Sequence, residues 1–222
     1  MTSLLPNLLA VILILAAILF ISAGRLDWLQ AWLFVMAFGG FLTFYGLWGV
    51  RNDQGQLNER SQVGKNTKGW DKVILTVYTI LLIGMLVLAG LDAGRFRWAP
   101  APLVLQGLGW LGTAFAGFMV WWTVSVNTFL SRTVRIQEDR GQRVIDTGPY
   151  SRVRHPMYLG IIVLMISIPL LLGSLWALIP GVLIGALFTV RTALEDRTLL
   201  QELPGYPEYA NRVRYRLLPR IW

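Results

Sequence analysis

Residues 147–197 read TGPYSRVRHPMYLGIIVLMISIPLLLGSLWALIPGVLIGALFTVRTALEDR. Two apolar runs, 157–174 and 175–191, meet at Gly173-Ser174 and carry Pro169 and Pro180. This pattern predicts a tight helical hairpin whose prolines make kinks that neighbouring helices tolerate. The hairpin returns the chain, so the polar segment before it and the charged segment after it meet at one membrane face.

Working outward, four further apolar runs precede the hairpin, at 4–23, 28–50, 73–92 and 102–130. The chain of 222 residues is 55% hydrophobic and 14% charged, whereas soluble domains lie near 45–50% and 25%. About 20 apolar residues cross a hydrocarbon core. Backbone polar groups in lipid permit only helices or closed barrels, and these runs are too long for barrel strands. The expectation is all-α: a polytopic transmembrane helical bundle with a C-terminal helical hairpin and a cytoplasmic pocket. It is read as a single membrane domain, 1–222, with spans in 1–130 and the loop, hairpin and tail in 131–222.

The net charge is +8, but the basic residues flank the spans, which points to the membrane and away from nucleic acid. Segments 51–72, 131–156 and 191–222 hold all of the 20 basic residues except Arg25, Arg95 and Arg97. With six spans these segments share one side, which the positive-inside rule makes cytoplasmic, with both termini. No Lys or Arg precedes Arg25, so the first run reads as a retained span and not a secretory signal. Short loops and the lack of a long soluble domain favour a prokaryotic inner membrane. With no cysteine and one histidine, thiolate chemistry, disulfides and Cys- or His-rich metal sites are excluded.

Chemistry-bearing residues gather in 136–160 and 191–219. Asp146-Thr147-Gly148-Pro149 is a turn signature that sets Tyr150 in place. Pro156 suits the first turn of the following helix, where its missing N–H costs nothing, and the other amides of that turn suit a carboxylate. Arg191 and Glu195 are spaced i, i+4 and share a helix face, as an ion pair would. Alternatively they close a solvated helix end. Residues 57–72, with Gly64 and Gly69, read as a solvated loop, or as a cover for the site. Trp121-Trp122 lies deeper in the fourth run, as packing or as the lining of a lipid-accessible cavity.

Taken together, Gly148-Pro149-Tyr150, Arg154-His155-Pro156-x-Tyr158-x-Gly160, Arg191-xxx-Glu195-Asp196, Gly205-Tyr206-xx-Tyr209 and Leu218-Pro219 resemble the isoprenylcysteine carboxyl methyltransferase family. That family sits in a wider group including phospholipid N-methyltransferases. The resemblance covers about residues 125–222. It implies S-adenosyl-L-methionine as methyl donor and a lipophilic or prenylated acceptor reached from the bilayer. By motif, it assigns the cofactor to Gln137, Val144, Ile145, Tyr150, His155, Pro156, Met157, Tyr158 and Glu195. Arg191 it assigns to the acceptor and the reacting centre. Many members have Glu-Glu where this chain has Glu195-Asp196, so only Glu195 is carried over. Three other readings stand beside this one: amine N-methylation, a membrane sterol-type reductase using NADPH, and a non-enzymatic scaffold. The reductase motif usually has Asn and Glu where this chain has Met157 and Ile161.

Overall fold

The computed structural model describes residues 4–61 and 67–222. Its helices are α1 (Leu4–Ala23), α2 (Leu29–Asn52), α3 (Gln54–Ser61), α4 (Gly69–Ala89), α5 (Leu103–Val126), α6 (Pro156–Leu172), α7 (Leu178–Glu202) and α8 (Tyr206–Arg212). Five of these are long and apolar enough to cross a membrane, and α6 is a shorter apolar helix. Many large apolar side chains remain exposed along them, among them Leu13, Ile21, Ile80, Leu103, Leu111 and Val182. Hydrocarbon is the solvent such a surface suits. The chain is therefore an all-α, multi-pass membrane protein.

Three boundaries differ from the sequence reading. The last apolar run is bounded at 191, whereas its helix, α7, runs on to Glu202, because the charges beyond 191 are paired by other elements. The fourth span ends at Val126, with Asn127 as its cap, and not at 130. Part of the polar segment after α2 is helical, as α3; the Gly64 singled out there lies outside the described residues.

The end of the bundle opposite the 127–155 loop is closed by a buried carboxylate. After α4 the helix widens into a π-helical segment, Gly90–Phe96. From it, Asp92 accepts hydrogen bonds from the Ala99 N–H (2.7 Å), Ser174 Oγ (2.6 Å) and the Trp176 N–H (3.2 Å). The hairpin turn is thus tied to the end of α4. Gly173 supplies the left-handed residue (φ 84°) that ends α6, a conformation that suits glycine.

Inside the hairpin, Pro169 has no N–H to offer the carbonyl of Met165. Gly181 of α7 packs over that carbonyl so closely that an added Cβ would lie 2.4 Å from its oxygen. Similar contact joins α5 to α6, where a Cβ on Gly109 would lie 2.5 Å from the Leu171 nitrogen. These small residues let the backbones approach. They also fix where α6 and α7 emerge beneath the loop between α5 and α6.

Candidate functional site

A cleft opens where α5, α6 and α7 end on one side of the bundle. Its floor is His155, Met157 and Tyr158 at the start of α6; one wall is Glu195 and Leu199 of α7 with Leu203 just past its end. Tyr206 and Tyr209 of α8 and Tyr150 add an aromatic side, and Phe129, Val144 and Ile145 of the loop face them. The cleft's cavity volume is about 100 Å³, and its mouth is open.

At the floor, the Tyr158 hydroxyl donates a short hydrogen bond to Glu195 Oε2. The His155 ring lies parallel to that of Tyr158, with centroids 5.8 Å apart. The Tyr158 and Leu159 amides both donate to the His155 carbonyl, at 3.1 and 3.3 Å. In the first turn of α6 this leaves the Met157 N–H without a backbone acceptor among the described residues. Pro156 is buried and opens the helix, outside the cleft lining.

Beneath the floor, Asp196 is fully buried and holds four elements together. Its oxygens accept two bonds from Arg154 (2.8 Å each), one from Arg216 (2.8 Å) and one from the Tyr206 hydroxyl (2.8 Å). His155 Nε2 lies 3.2 Å away. Burial disfavours the Arg154 charge, but its bonds to Asp196 and that carboxylate's charge outweigh this, so its pKa is raised. Burial, then the Asp196 charge, pushes the Tyr206 phenol well up; burial also raises Tyr209. Asp196 is therefore a structural hub, and its shorter side chain relative to Glu fits that place.

Arg191 does not pair with Glu195 as its i, i+4 spacing suggests. Its Nε and Nη2 grip Asp71 at the start of α4 (2.8 and 3.2 Å), and Nη2 also donates to the Arg132 carbonyl (2.9 Å). Asp71 accepts in addition from the Val134 N–H (2.8 Å). Both side chains are buried. Nη1 has no hydrogen-bond partner among the described residues, and the guanidinium lies 5.2 Å from the centre of the Tyr158 ring. Arg191 thus sits behind the floor of the cleft and anchors its loop.

The loop residues divide in two. Tyr150 points inward; its hydroxyl accepts from Asn127 Nδ2 (2.7 Å), and its carbonyl accepts from Tyr209 (2.8 Å). Val144 and Ile145 are half-buried on the lining. Gln137 also lines the cleft, but its amide is committed: Nε2 donates to the Phe129 carbonyl, and Oε1 accepts from Arg140 (2.7 Å). Of the residues assigned from the sequence, eight line the cleft: Gln137, Val144, Ile145, Tyr150, His155, Met157, Tyr158 and Glu195. Asp71 and Asn127, which hold Arg191 and Tyr150, carried no local signal; they act across 120 and 23 positions of chain.

The chain is thus a multi-pass helical bundle with an aromatic and acidic cleft at one end of its helices. Residues 110–201, from the second half of α5 almost to the end of α7, match the model of the isoprenylcysteine carboxyl methyltransferase (ICMT) family. Over this region the chain is similar to that family, and the match together with the spanning helices supports a membrane methyltransferase. No curated protein matches the chain.

Proposed function

We propose that the protein uses S-adenosyl-L-methionine to methylate the carboxylate of a lipophilic acceptor that reaches the cleft from the bilayer. The observation that carries this reading is the Tyr158–Glu195 pair on the floor of a cleft walled by Tyr150, Val144 and Ile145. The donor set suits the cofactor. The aromatic and aliphatic wall matches a purine, and ring faces favour a cationic centre. Glu195 accepts hydrogen bonds from hydroxyl or ammonium groups, and the Met157 N–H at the positive end of α6 suits a carboxylate. S-adenosyl-L-methionine, when bound, supplies a methyl group activated by a positively charged sulfur.

The chain's own residues have three tasks. Glu195 and Tyr158 fix one edge of the cofactor, and Tyr150, held by Asn127, closes over it. Arg191 orients the acceptor: with Nε and Nη2 tied to Asp71, Nη1 is the edge left for a carboxylate. The apolar wall of Leu199, Leu203 and Val144 excludes water, which strengthens these charges and prevents loss of the methyl group. A carboxylate is already ionised near neutral pH, so no base is required, and orientation supplies most of the catalysis. The charge bias of the flanking segments supports a cytoplasmic cleft with both termini on that side, and the short loops a prokaryotic inner membrane.

The test is calorimetric titration of S-adenosylhomocysteine into detergent-solubilised protein, followed by methyl transfer to a prenylcysteine acid. Glu195→Gln should weaken binding about tenfold or more, as expected for a hydrogen bond to a charged group. Arg191→Gln should spare binding and abolish transfer. Unchanged affinity in Glu195→Gln would place the cofactor elsewhere. Transfer to a lipid amine, rising with pH while the acid stays inert, would replace the carboxylate reading.

A further inference from the structure

Gln56, on the polar helix α3, is fully buried yet takes no part in the cleft lining. A polar group so buried needs hydrogen-bond partners. Its backbone N–H donates to Asp53 Oδ1 (2.8 Å), at the start of α3. Its Nε2 donates to the Asn127 carbonyl (2.6 Å) and reaches that of Val124 (3.5 Å). The Asn127 N–H makes the last helical bond of α5, to the Thr123 carbonyl (3.2 Å). The Val124 carbonyl is therefore among those the helix leaves without a donor. Gln56 thus caps α5 and holds Asn127 from 71 positions away.

Asn127 is in turn the residue that holds Tyr150. Its Oδ1 accepts from the Phe129 N–H (2.9 Å). An N–H can only donate, so this bond fixes the orientation of the amide and turns Nδ2 toward Tyr150. Nδ2 donates to the Tyr150 hydroxyl (2.7 Å), while the Tyr150 carbonyl accepts from Tyr209 (2.8 Å). The segment 127–147 has only one short 3₁₀ turn, Glu138–Arg140, and a loop of that length keeps its shape through such ties. Glu59, nearly one turn along α3 from Gln56, supplies another: its Oε1 accepts twice from Arg135 (2.7 and 2.9 Å), with both side chains buried. Gln56 Oε1 is buried without a partner among the described residues. An orphan acceptor costs stability, so the amide suits the holding of Asn127 better than it suits folding alone.

On the S-adenosyl-L-methionine reading, on which this rests, we propose that Gln56 is a positioning residue of the cofactor cleft. Through Asn127 it sets where the Tyr150 ring stands against the bound cofactor. α3, which lies outside the matched residues 110–201, is then a working part of the site.

The experiment is calorimetric titration of S-adenosylhomocysteine into the detergent-solubilised full chain, with hydrogen exchange followed by mass spectrometry on the same proteins. Gln56→Met keeps the length of the side chain and loses the donor. It should weaken binding about threefold to tenfold, as the loss of one hydrogen bond does. Asn127→Ala should weaken it by a similar factor. The double variant should bind no worse than Asn127→Ala alone, because the link to Tyr150 is already cut. Exchange at the end of α5 should rise with Gln56→Met in both backgrounds, since the cap is lost in both. Gln56→Glu carries the test if Gln56→Met fails to fold. Relative to the unaltered chain, its affinity should recover as pH falls and the carboxyl gains a proton to donate to Asn127. Unchanged affinity in Gln56→Met, or an equal loss with and without the Asn127 side chain, would overturn the proposal. Failure of the cofactor reading shows separately, as an unaltered chain that does not bind or a Glu195→Gln variant that binds undiminished. In that event exchange at 148–152 decides: faster in Gln56→Met upholds the tie to Tyr150, and unchanged exchange overturns it.

Discussion

The Asp71–Arg191 pair can be weighed by a double-mutant cycle on stability, a readout independent of catalysis. Asp71 is fully buried and Arg191 is 4% exposed. Both carboxylate oxygens accept: Oδ1 from Arg191 Nε, and Oδ2 from Arg191 Nη2 and the Val134 N–H. In Asp71→Asn, an amide NH2 must therefore face a donor whichever way it is turned. Removing one partner from a buried pair leaves an uncompensated charge and costs about 3–5 kcal/mol. Each single variant, Asp71→Ala and Arg191→Ala, should lose about that much. The double variant should lose little more than either, with a coupling of about 2–3 kcal/mol. Equilibrium unfolding in mixed micelles, followed by circular dichroism, measures all four proteins. Coupling below about 0.5 kcal/mol, the scatter of independent sites, would refute the view that this pair ties α4 to α7.

Other expectations follow from single contacts. Asp196→Asn leaves Arg154 buried beside a neutral amide, and should cost about 3–5 kcal/mol and detach the C-terminal tail from the cleft, read as faster proteolysis after α8. Gly109→Ala forces a Cβ against the Leu171 nitrogen and should destabilise by about 1–3 kcal/mol. Gly107→Ala, with nothing within 4 Å, should stabilise α5 by up to about 1 kcal/mol; thermal unfolding compares them. The phenols of Tyr206 and Tyr209 are raised in the fold, so their contribution is fully present below the unfolded tyrosine pKa of about 10. It is lost as pH rises above that value, through the folded pKa values. Stability should therefore fall in alkaline solution, and absorbance at tyrosinate wavelengths should show these two titrating after exposed tyrosines.

How far the sequence is legible depends on the range of the forces involved. The C-terminal end of α1 is read at Ala23, because Gly24 and Arg25 break an otherwise uninterrupted apolar run. The apolar run ends near 191 but α7 does not, because charge in a helix signals water only when the charges lack partners. Arg191 has Asp71, Asp196 has Arg154, and Glu195 has Tyr158, so the helix carries on. The cleft floor is legible, since Tyr150, His155 and Tyr158 lie within nine residues and their turn and proline set them locally. Asp71 is not, for nothing near Trp70 and Lys72 announces a partner 120 positions away. Asn127 passes unnoticed inside a run that reads as apolar.

The length of α6 has a mechanical consequence. Seventeen residues rise about 25 Å, less than the roughly 30 Å of a typical hydrocarbon core. With its far end pinned by Asp92 and Ser174, the other end, and Tyr158 with it, would lie below the surface of a bilayer of that thickness. On the proposed function, methyl transfer would take place below the bilayer surface, and an acceptor of fixed tail length would meet the cleft without being drawn out into water. Turnover should accordingly follow membrane thickness, peaking in bilayers that match this short helix and falling in thicker ones. The short helix would then act as a gauge of the lipid around it.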